Sequence, residues 1–491
     1  MSEKEYDSAS SLDYEQEKSD DEYFNQKDVI NTIINNNDDQ KSDDEYFERK
    51  ENEEQDENEE SEEDDIKKYC PIEKNTIIND RYKIVKKLGW GRFSVVWMAV
   101  DKNLLPEDQS IENIDISTVD RKFCVALKIY KSSSEYDEYY QNENSVYNLL
   151  KGKKHPNVVN MIESFYTQSE YGKHGCIVFE LCGQHLLKLL NRTDDGGLPI
   201  PIVKKIVKQT LEGIKFLHEN GIIHTDIKPE NILLTLSMKQ IDTVDDLNIK
   251  ITDLGSSTPA DNLYSLSIGT TPYIPPEVVL RSKYDKSVDI WGIGCLLFEL
   301  ITGECLFDPE SFFDENCEID ENDSNDDDSN DDNSDDNKKE ENKSEDDDES
   351  EEEDEEESDQ EYDTNSSDCD ANDWELNHLH LSLFTKILGP IPQSVAKKGE
   401  YYEDFFNSRG RLRRIPNYID EKTIAELLED DFKVDKELAI ILQDLLQNMF
   451  IYHPSKRATA EQCLEFKWFE GDYQAEYQKM LDEFEKENKS K

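Results

Sequence analysis

The sequence predicts an α+β fold in two lobes, a small strand-rich lobe followed by a large helical one. Three observations predict it. From Arg81 to about residue 130 apolar and β-branched residues alternate, as in half-buried strands. After "CIVFELC" the apolar residues recur at helical spacing instead. The net charge of −60 over 491 residues is concentrated in two segments, which leaves a nearly balanced remainder of the size of one two-lobed domain.

The strands come first. "RYKIVKKLGWGRFSVVWMAVD" reads as strand, tight turn, strand, and "KFCVALKIYK" as a third strand after a polar loop at about 103–120. "YYQNENSVYNLLK" is helical: Glu143, Val146, Tyr147 and Leu150 fall on one face. "PIVKKIVKQTLEGIKFLHENG" is a long amphipathic helix with Gly221 suited to its C-terminal cap. "SVDIWGIGCLLFELITG" is apolar on nearly all sides, the mark of a helix buried in a large lobe. "LHLSLFTKILG", "IAELLED" and "ELAIILQDLLQNMF" are further amphipathic helices.

Residues 1–65 hold 27 acids against 6 bases, and residues 308–373 hold 35 against 3. Such segments bury too little apolar surface to offset ordering, about 1–2 kcal/mol per residue for the backbone. They are expected to be disordered, as an N-terminal region over 1–66 and an insert over 308–373. The first carries "KSDDEYF" twice, at Lys18–Phe24 and Lys41–Phe47. Nine cysteines include no C-x-x-C pair, which argues against zinc and disulfide scaffolds and for a reducing compartment. The acidic N-terminus is no targeting peptide, and no apolar run is long enough to cross a bilayer. Without a basic stripe, no direct nucleic-acid binding is expected.

The motifs carry phosphate chemistry. In "LGWGRFSVV", Leu88 to Val96, two glycines sit in a strand–turn–strand, where backbone N–H groups can approach phosphate oxygens. Leu88, Gly89, Trp90, Gly91, Arg92, Phe93, Ser94, Val95 and Val96 are the candidate nucleotide-binding stretch; alone it is also a plain hairpin. Some 30 residues on, "VALK" supplies Ala126, small enough to admit a purine, and Lys128, a partner for phosphates. A lysine at a strand end is usually solvated, but Glu143 follows at a distance that can hold it.

"HTDIKPEN" offers Asp226 as a base for a substrate hydroxyl, Lys228 against the transferring phosphate, and Asn231 as an Mg²⁺ ligand. "DLG" after the strand "NIKIT" offers Asp253 as the main Mg²⁺ ligand, although alone it reads as a turn. In "GTTPYIPPE", Thr270 counts among the catalytic residues and Glu277 pairs with Arg457 of "HPSKR". Asp289 of "DIWGIG" is placed to anchor the catalytic loop, or to cap its own helix. Order, spacing and context agree on a bilobal protein kinase fold over 82–469, its lobes meeting near 181–182, with a tail at 470–491.

Within that fold the sequence resembles the SR-protein kinases. "LGWGRFSVVW" is similar to their glycine loop, "VFELCGQHLLKLL" to their hinge, with Glu180 and Cys182 at the nucleotide, and "IIHTDIKPENIL" to their catalytic loop, threonine included. "GEYYEDFFNSRGRLRRI" and "KKYC" match their later and leading segments. The resemblance implies an ATP- and Mg²⁺-dependent serine/threonine kinase acting on Arg/Ser-rich splicing factors, monomeric, away from membranes, and both cytoplasmic and nuclear. Thr225 replaces the arginine that grips an activation-segment phosphate in many kinases, so activity without such phosphorylation is expected.

Three departures stand out. Only "TLSMKQIDTVDDLN" lies where the family has its long spacer, and the acidic insert comes later. The family's acidic docking positions correspond to Leu379 and Lys386, so the insert is left to supply the acids. "TTPYIPPEVV", with Ile274 and Pro275, ends the segment in a more general kinase pattern. The competing readings are a kinase for other substrates and a non-catalytic acidic scaffold.

Overall fold

The computed structural model describes residues 68–193, 196–236, 241, 243–260, 268–312, 371–413, 415 and 421–490. The expected disordered region at 1–66, with both "KSDDEYF" copies, lies outside the described residues, as does 313–370 of the expected insert.

The small lobe is an antiparallel sheet of β1 (Tyr82–Trp90), β2 (Ser94–Asp101), β3 (Cys124–Tyr130), β4 (Met161–Ser169) and β5 (Gly172–Glu180), in the order β1-β2-β3-β5-β4. A two-residue strand, Ile77–Ile78, extends it beside β1. The register sets Val96 of β2 opposite Lys128 of β3, and Lys128 opposite Ile177 of β5. With a side-chain period of two, Val96, Ala126 and Lys128 therefore face the same side of the sheet. Helix α1 (Ser134–Leu149) begins at an N-cap, Ser133, whose side chain accepts from Tyr136 N–H. The face predicted from sequence is the buried one: Glu143, Val146, Tyr147 and Leu150 are all buried.

In the large lobe α2 (Ile200–Glu219) buries its apolar face and ends before Gly221, whose φ of 72° suits a residue without a side chain. Helix α3 (Ser287–Thr302) is buried at every position. Its Trp291 is the hub of the core, with ring centroids 4.9 Å from Phe450, 5.2 Å from Phe384 and 5.6 Å from Phe307. Around it pack α4 (Ala371–Leu388) and α5 (Lys436–Met449), while the hairpin of β6 (Ile232–Leu234) and β7 (Ile249–Ile251) carries the loops that reach the cleft.

Segments on either side of 82–469 are bonded to it. Ahead of β1, Ser132 N donates to Lys68 O at 2.8 Å and Asn75 N to Ile84 O at 2.9 Å. The expected tail at 470–491 carries helix α6 (Tyr473–Ser490). Lys204 of α2 donates to its Glu476 at 2.8 Å, and Tyr477 is buried against the lobe. Tyr473, Tyr477, Met480 and Leu481 recur at helical spacing, a signal present in the sequence. At the insert's edges Glu310–Phe312 form a 3-10 turn and α4 starts at Ala371. The polar loop expected at 103–120 holds a 3-10 turn at Ile111–Asn113, with others at its two edges, Lys102–Leu104 and Arg121–Phe123, and Ile111 is fully buried. Lys83, itself buried, donates to Glu112 O at 3.0 Å and Ile114 O at 2.8 Å.

Candidate active site

The cleft between the lobes gathers the predicted residues. Lys128 Nζ lies 2.7 Å from Glu143 Oε2 and 3.0 Å from Asp253 Oδ1. Burial alone lowers the Lys128 ammonium's affinity for its proton, but the carboxylates of Asp253 and Glu143 outweigh burial and raise it. Burial pushes the Glu143 carboxyl up, against the pull of Lys128. Glu143 Oε1 is buried and finds no hydrogen-bond partner among the described residues, which fits that direction. The Lys128 charge holds Asp253 below the usual carboxylate range. Two residues join this group unannounced. Tyr130 donates its hydroxyl to Glu143 Oε2, and Asn142 Nδ2 donates to Gly255 O at 2.6 Å, tying α1 to the "DLG" turn. Their signal was adjacency: Tyr130 follows Lys128 by two residues on the same strand face, and Asn142 precedes Glu143.

The catalytic-loop residues meet as a second group. Thr270 Oγ1 donates to Asp226 Oδ1 at 2.7 Å, and Lys228 Nζ lies 2.7 Å from Thr270 Oγ1 and 2.9 Å from Asp226 Oδ2. Asn231 Nδ2 donates to Asp226 O at 2.8 Å and Oδ2 at 3.0 Å. The side-chain nitrogen being used there, Asn231 Oδ1 is left to ligate a hard cation. Asp253 is 48 % exposed and keeps its second oxygen beyond the lysine. Oxygen donors of this kind suit Mg²⁺, so the residues fit the ion the motifs imply.

Below the loop, Asp289 does not cap its own helix. Its Oδ2 accepts from His224 N and its Oδ1 from Thr225 N, both at 2.8 Å, and His218 Nε2 lies 2.8 Å from Oδ2. Thr225 has φ of 74° and Asp253 φ of 61°, strained for residues other than glycine. Thr225 Oγ1 donates to Ser256 O at 3.0 Å, so the threonine grips the backbone after "DLG" directly. Glu277 and Arg457 form a bidentate pair at 2.8 Å and 3.1 Å, fully buried, with the guanidinium over the Trp291 ring. Residues 261–267 of the intervening segment lie outside the described residues.

Along the roof of the cleft, Leu88, Gly89 and Trp90 close β1, Gly91, Arg92 and Phe93 form the turn, and Ser94, Val95 and Val96 open β2. Among the described residues nothing lies within 4 Å of a Cβ built on Gly89 or Gly91, so the turn is open where a phosphate would approach. Phe93 at its tip stacks on Tyr139 of α1, centroids 4.0 Å apart. At the back, Glu180 Oε1 accepts from Asn160 N at 2.8 Å and pairs with Lys250 at 3.0 Å. Cys182 is buried, and Gly183 N donates to Leu234 O at 2.6 Å. A Cβ on Gly183 would stand 2.1 Å from Leu236 O, so only glycine allows this approach.

Leu379 and Lys386, expected at a docking groove, diverge. Leu379 is buried in the core, whereas Lys386 lines a cavity of about 560 Å³ with Lys422, Thr423 and Phe450, and pairs with Glu421 at 3.3 Å. Among the described residues no helix is long and apolar enough to cross a membrane.

The profile of the protein kinase domain matches residues 113–365, from before Lys128 to beyond Thr270, the glycine turn lying ahead of it. The serine/threonine-protein kinase SRPK of Physarum polycephalum is 29% identical over 455 residues, covering 82% of this chain and 89% of its own. SRSF protein kinase 3 of Mus musculus is 23% identical, covering 82% and 90%. Protein kinase dsk1 of Schizosaccharomyces pombe is 22% identical, covering 79% and 80%. The chain thus belongs to the protein kinase family, as a serine/threonine kinase similar to the SRPK enzymes.

Proposed function

We propose that the protein transfers the γ-phosphate of ATP to serines in Arg/Ser-rich proteins, with Mg²⁺, and does so without phosphorylation of its activation segment. The observation that carries the catalytic part is the meeting of Asp226, Lys228, Thr270 and Asn231 within 3.0 Å contacts, with Thr252 N, next to Asp253, donating to Asn231 O at 2.9 Å. Asp226 takes the proton of the serine hydroxyl as its oxygen bonds to phosphorus and the bond to the ADP oxygen breaks. Lys228 offsets charge on the phosphoryl group, and Lys128, held by Glu143, positions the remaining phosphates. Asn231 and Asp253 hold Mg²⁺, which when bound neutralises phosphate charge. The hinge at Glu180 and Cys182 takes the purine, with Ala126 leaving it room.

Thr225 supports activity without phosphorylation. The activation segment is tied by its bond to Ser256, a neutral contact that needs no phosphate. The Arg/Ser preference draws support from similarity to SRSF protein kinase 3 and from the net charge of −60, which favours cationic chains. The enzyme acts as a monomer in cytoplasm and nucleus. The test uses phosphatase-treated protein with Mg²⁺, labelled ATP, an Arg-Ser peptide and a generic basic protein. Transfer to the peptide in preference is expected. Transfer to the basic protein alone overturns the substrate class, and silence restored by rephosphorylation overturns the reading of Thr225.

A further inference from the structure

We infer that Arg121 is a positioning residue for nucleotide selection: it locks one peptide of the hinge and thereby sets the preference for adenine over guanine. This rests on the reading of Glu180–Gly183 as the purine-binding hinge.

Arg121 stands at the end of the excursion between β2 and β3. Its 3-10 turn, Arg121–Phe123, is capped by Asp120, whose side chain accepts from Lys122 N. Ile114, Val119 and Phe123 join one apolar cluster with Leu88 of β1 and Leu181 of the hinge, and Lys83 ties down the middle of the excursion. The excursion is thus a rigid arm, and its guanidinium reaches 61 residues along the chain: Arg121 Nη2 donates to Cys182 O at 2.8 Å. Burial lowers its pKa, and among the described residues the groups acting on it are the thiols of Cys124 and Cys182. A half-buried guanidinium is expensive to keep unless its donors are used, and Nη2 is used on the hinge carbonyl.

The Cys182–Gly183 peptide is held at both ends. Arg121 takes its C=O from the small lobe, and Leu234 O takes its N–H from the large lobe at 2.6 Å. With a glycine on one side this peptide is otherwise the hinge's easiest to turn. Adenine presents an N–H donor and a ring-nitrogen acceptor on its pairing edge; guanine presents the reverse order. A hinge whose peptides cannot turn leaves guanine's groups unpaired, which is how buried polar sites discriminate. Releasing Cys182 O leaves the peptide held only through its N–H, so the hinge can adjust its backbone toward guanine.

The full-length chain, with Arg121→Met and Arg121→Lys, is titrated with ATP and with GTP by calorimetry, and melting is followed alongside. In wild type ATP binds more tightly. Arg121→Met is expected to narrow the ATP/GTP ratio by about tenfold, the scale of one charge-assisted hydrogen bond. Arg121→Lys restores most of the ratio, and kcat at saturating ATP stays within about twofold of wild type. An unchanged ratio in Arg121→Met overturns the inference. So does equal weakening of both nucleotides with a lower melting temperature, which marks a merely structural role. If wild type binds neither nucleotide, the hinge reading itself fails and takes this inference with it.

Discussion

Replacing Glu299 by Gln should stabilise the protein in mildly alkaline solution and do little in acid. Glu299 lies on α3, 5 % exposed, and its Oε2 accepts from Tyr273 OH at 2.7 Å. Burial pushes its carboxyl from an ordinary 4.5 up to about 7, with a further push from the charge of Glu230. The folded pKa is above the unfolded one, so between about pH 4.5 and 7 the folded state holds a proton the unfolded chain has released. Stability from this group is therefore fully present in acid and is lost as the pH rises through about 7. A neutral glutamine can still accept from Tyr273 and escapes the loss. From about pH 5 to about pH 8 the advantage of the variant over wild type should grow by about 2–3 kcal/mol. Urea unfolding of both proteins at the two pH values reads this difference. Glu143, also raised by burial, titrates in both proteins and cancels in the comparison. An advantage that is the same at both pH values would refute the reasoning.

Arg457→Met leaves Glu277 buried without its partner and should cost about 3–5 kcal/mol, read as a lower urea midpoint; adding Glu277→Gln should recover part of it. Gly183→Ala brings a Cβ to 2.1 Å from Leu236 O, so the hinge must shift. Strain of about 1–3 kcal/mol is expected, seen as weaker ATP binding with the catalytic loop intact, and wild-type affinity would contradict the close approach.

Much of the site was legible because its residues sit at chain positions that local rules fix. The strand alternation around Lys128 and the helical spacing of Glu143, Val146 and Tyr147 placed the lysine and the acid on facing surfaces. "HTDIKPEN" gave Asp226, Lys228 and Asn231 together, and Asp289 was named as an anchor, with helix capping as the alternative that the bonds to His224 and Thr225 displace. What stayed hidden depends on tertiary approach. Nothing local says that Arg121 meets a carbonyl 61 residues away, that His218 joins Asp289, or that Asn142 reaches Gly255. The segment at 68–81 was legible only through "KKYC" as a lead-in, and 470–491 only as a tail, because their apolar residues find partners only in the folded lobes. Thr225 is the instructive case. Its lack of a guanidinium was plain in the sequence, but the bond from its hydroxyl to Ser256 O appears only once the chain is folded.

The central claim is that Asp226 and the groups around it make this chain an active phosphotransferase. Transfer of labelled phosphate from ATP to an Arg-Ser peptide, by phosphatase-treated wild type and by Asp226→Ala, tests it most directly. Robust transfer by wild type and a loss of about 10²–10⁴-fold in the variant is the predicted result. Equal rates for the two proteins, or no transfer by wild type while ATP still binds, would contradict it.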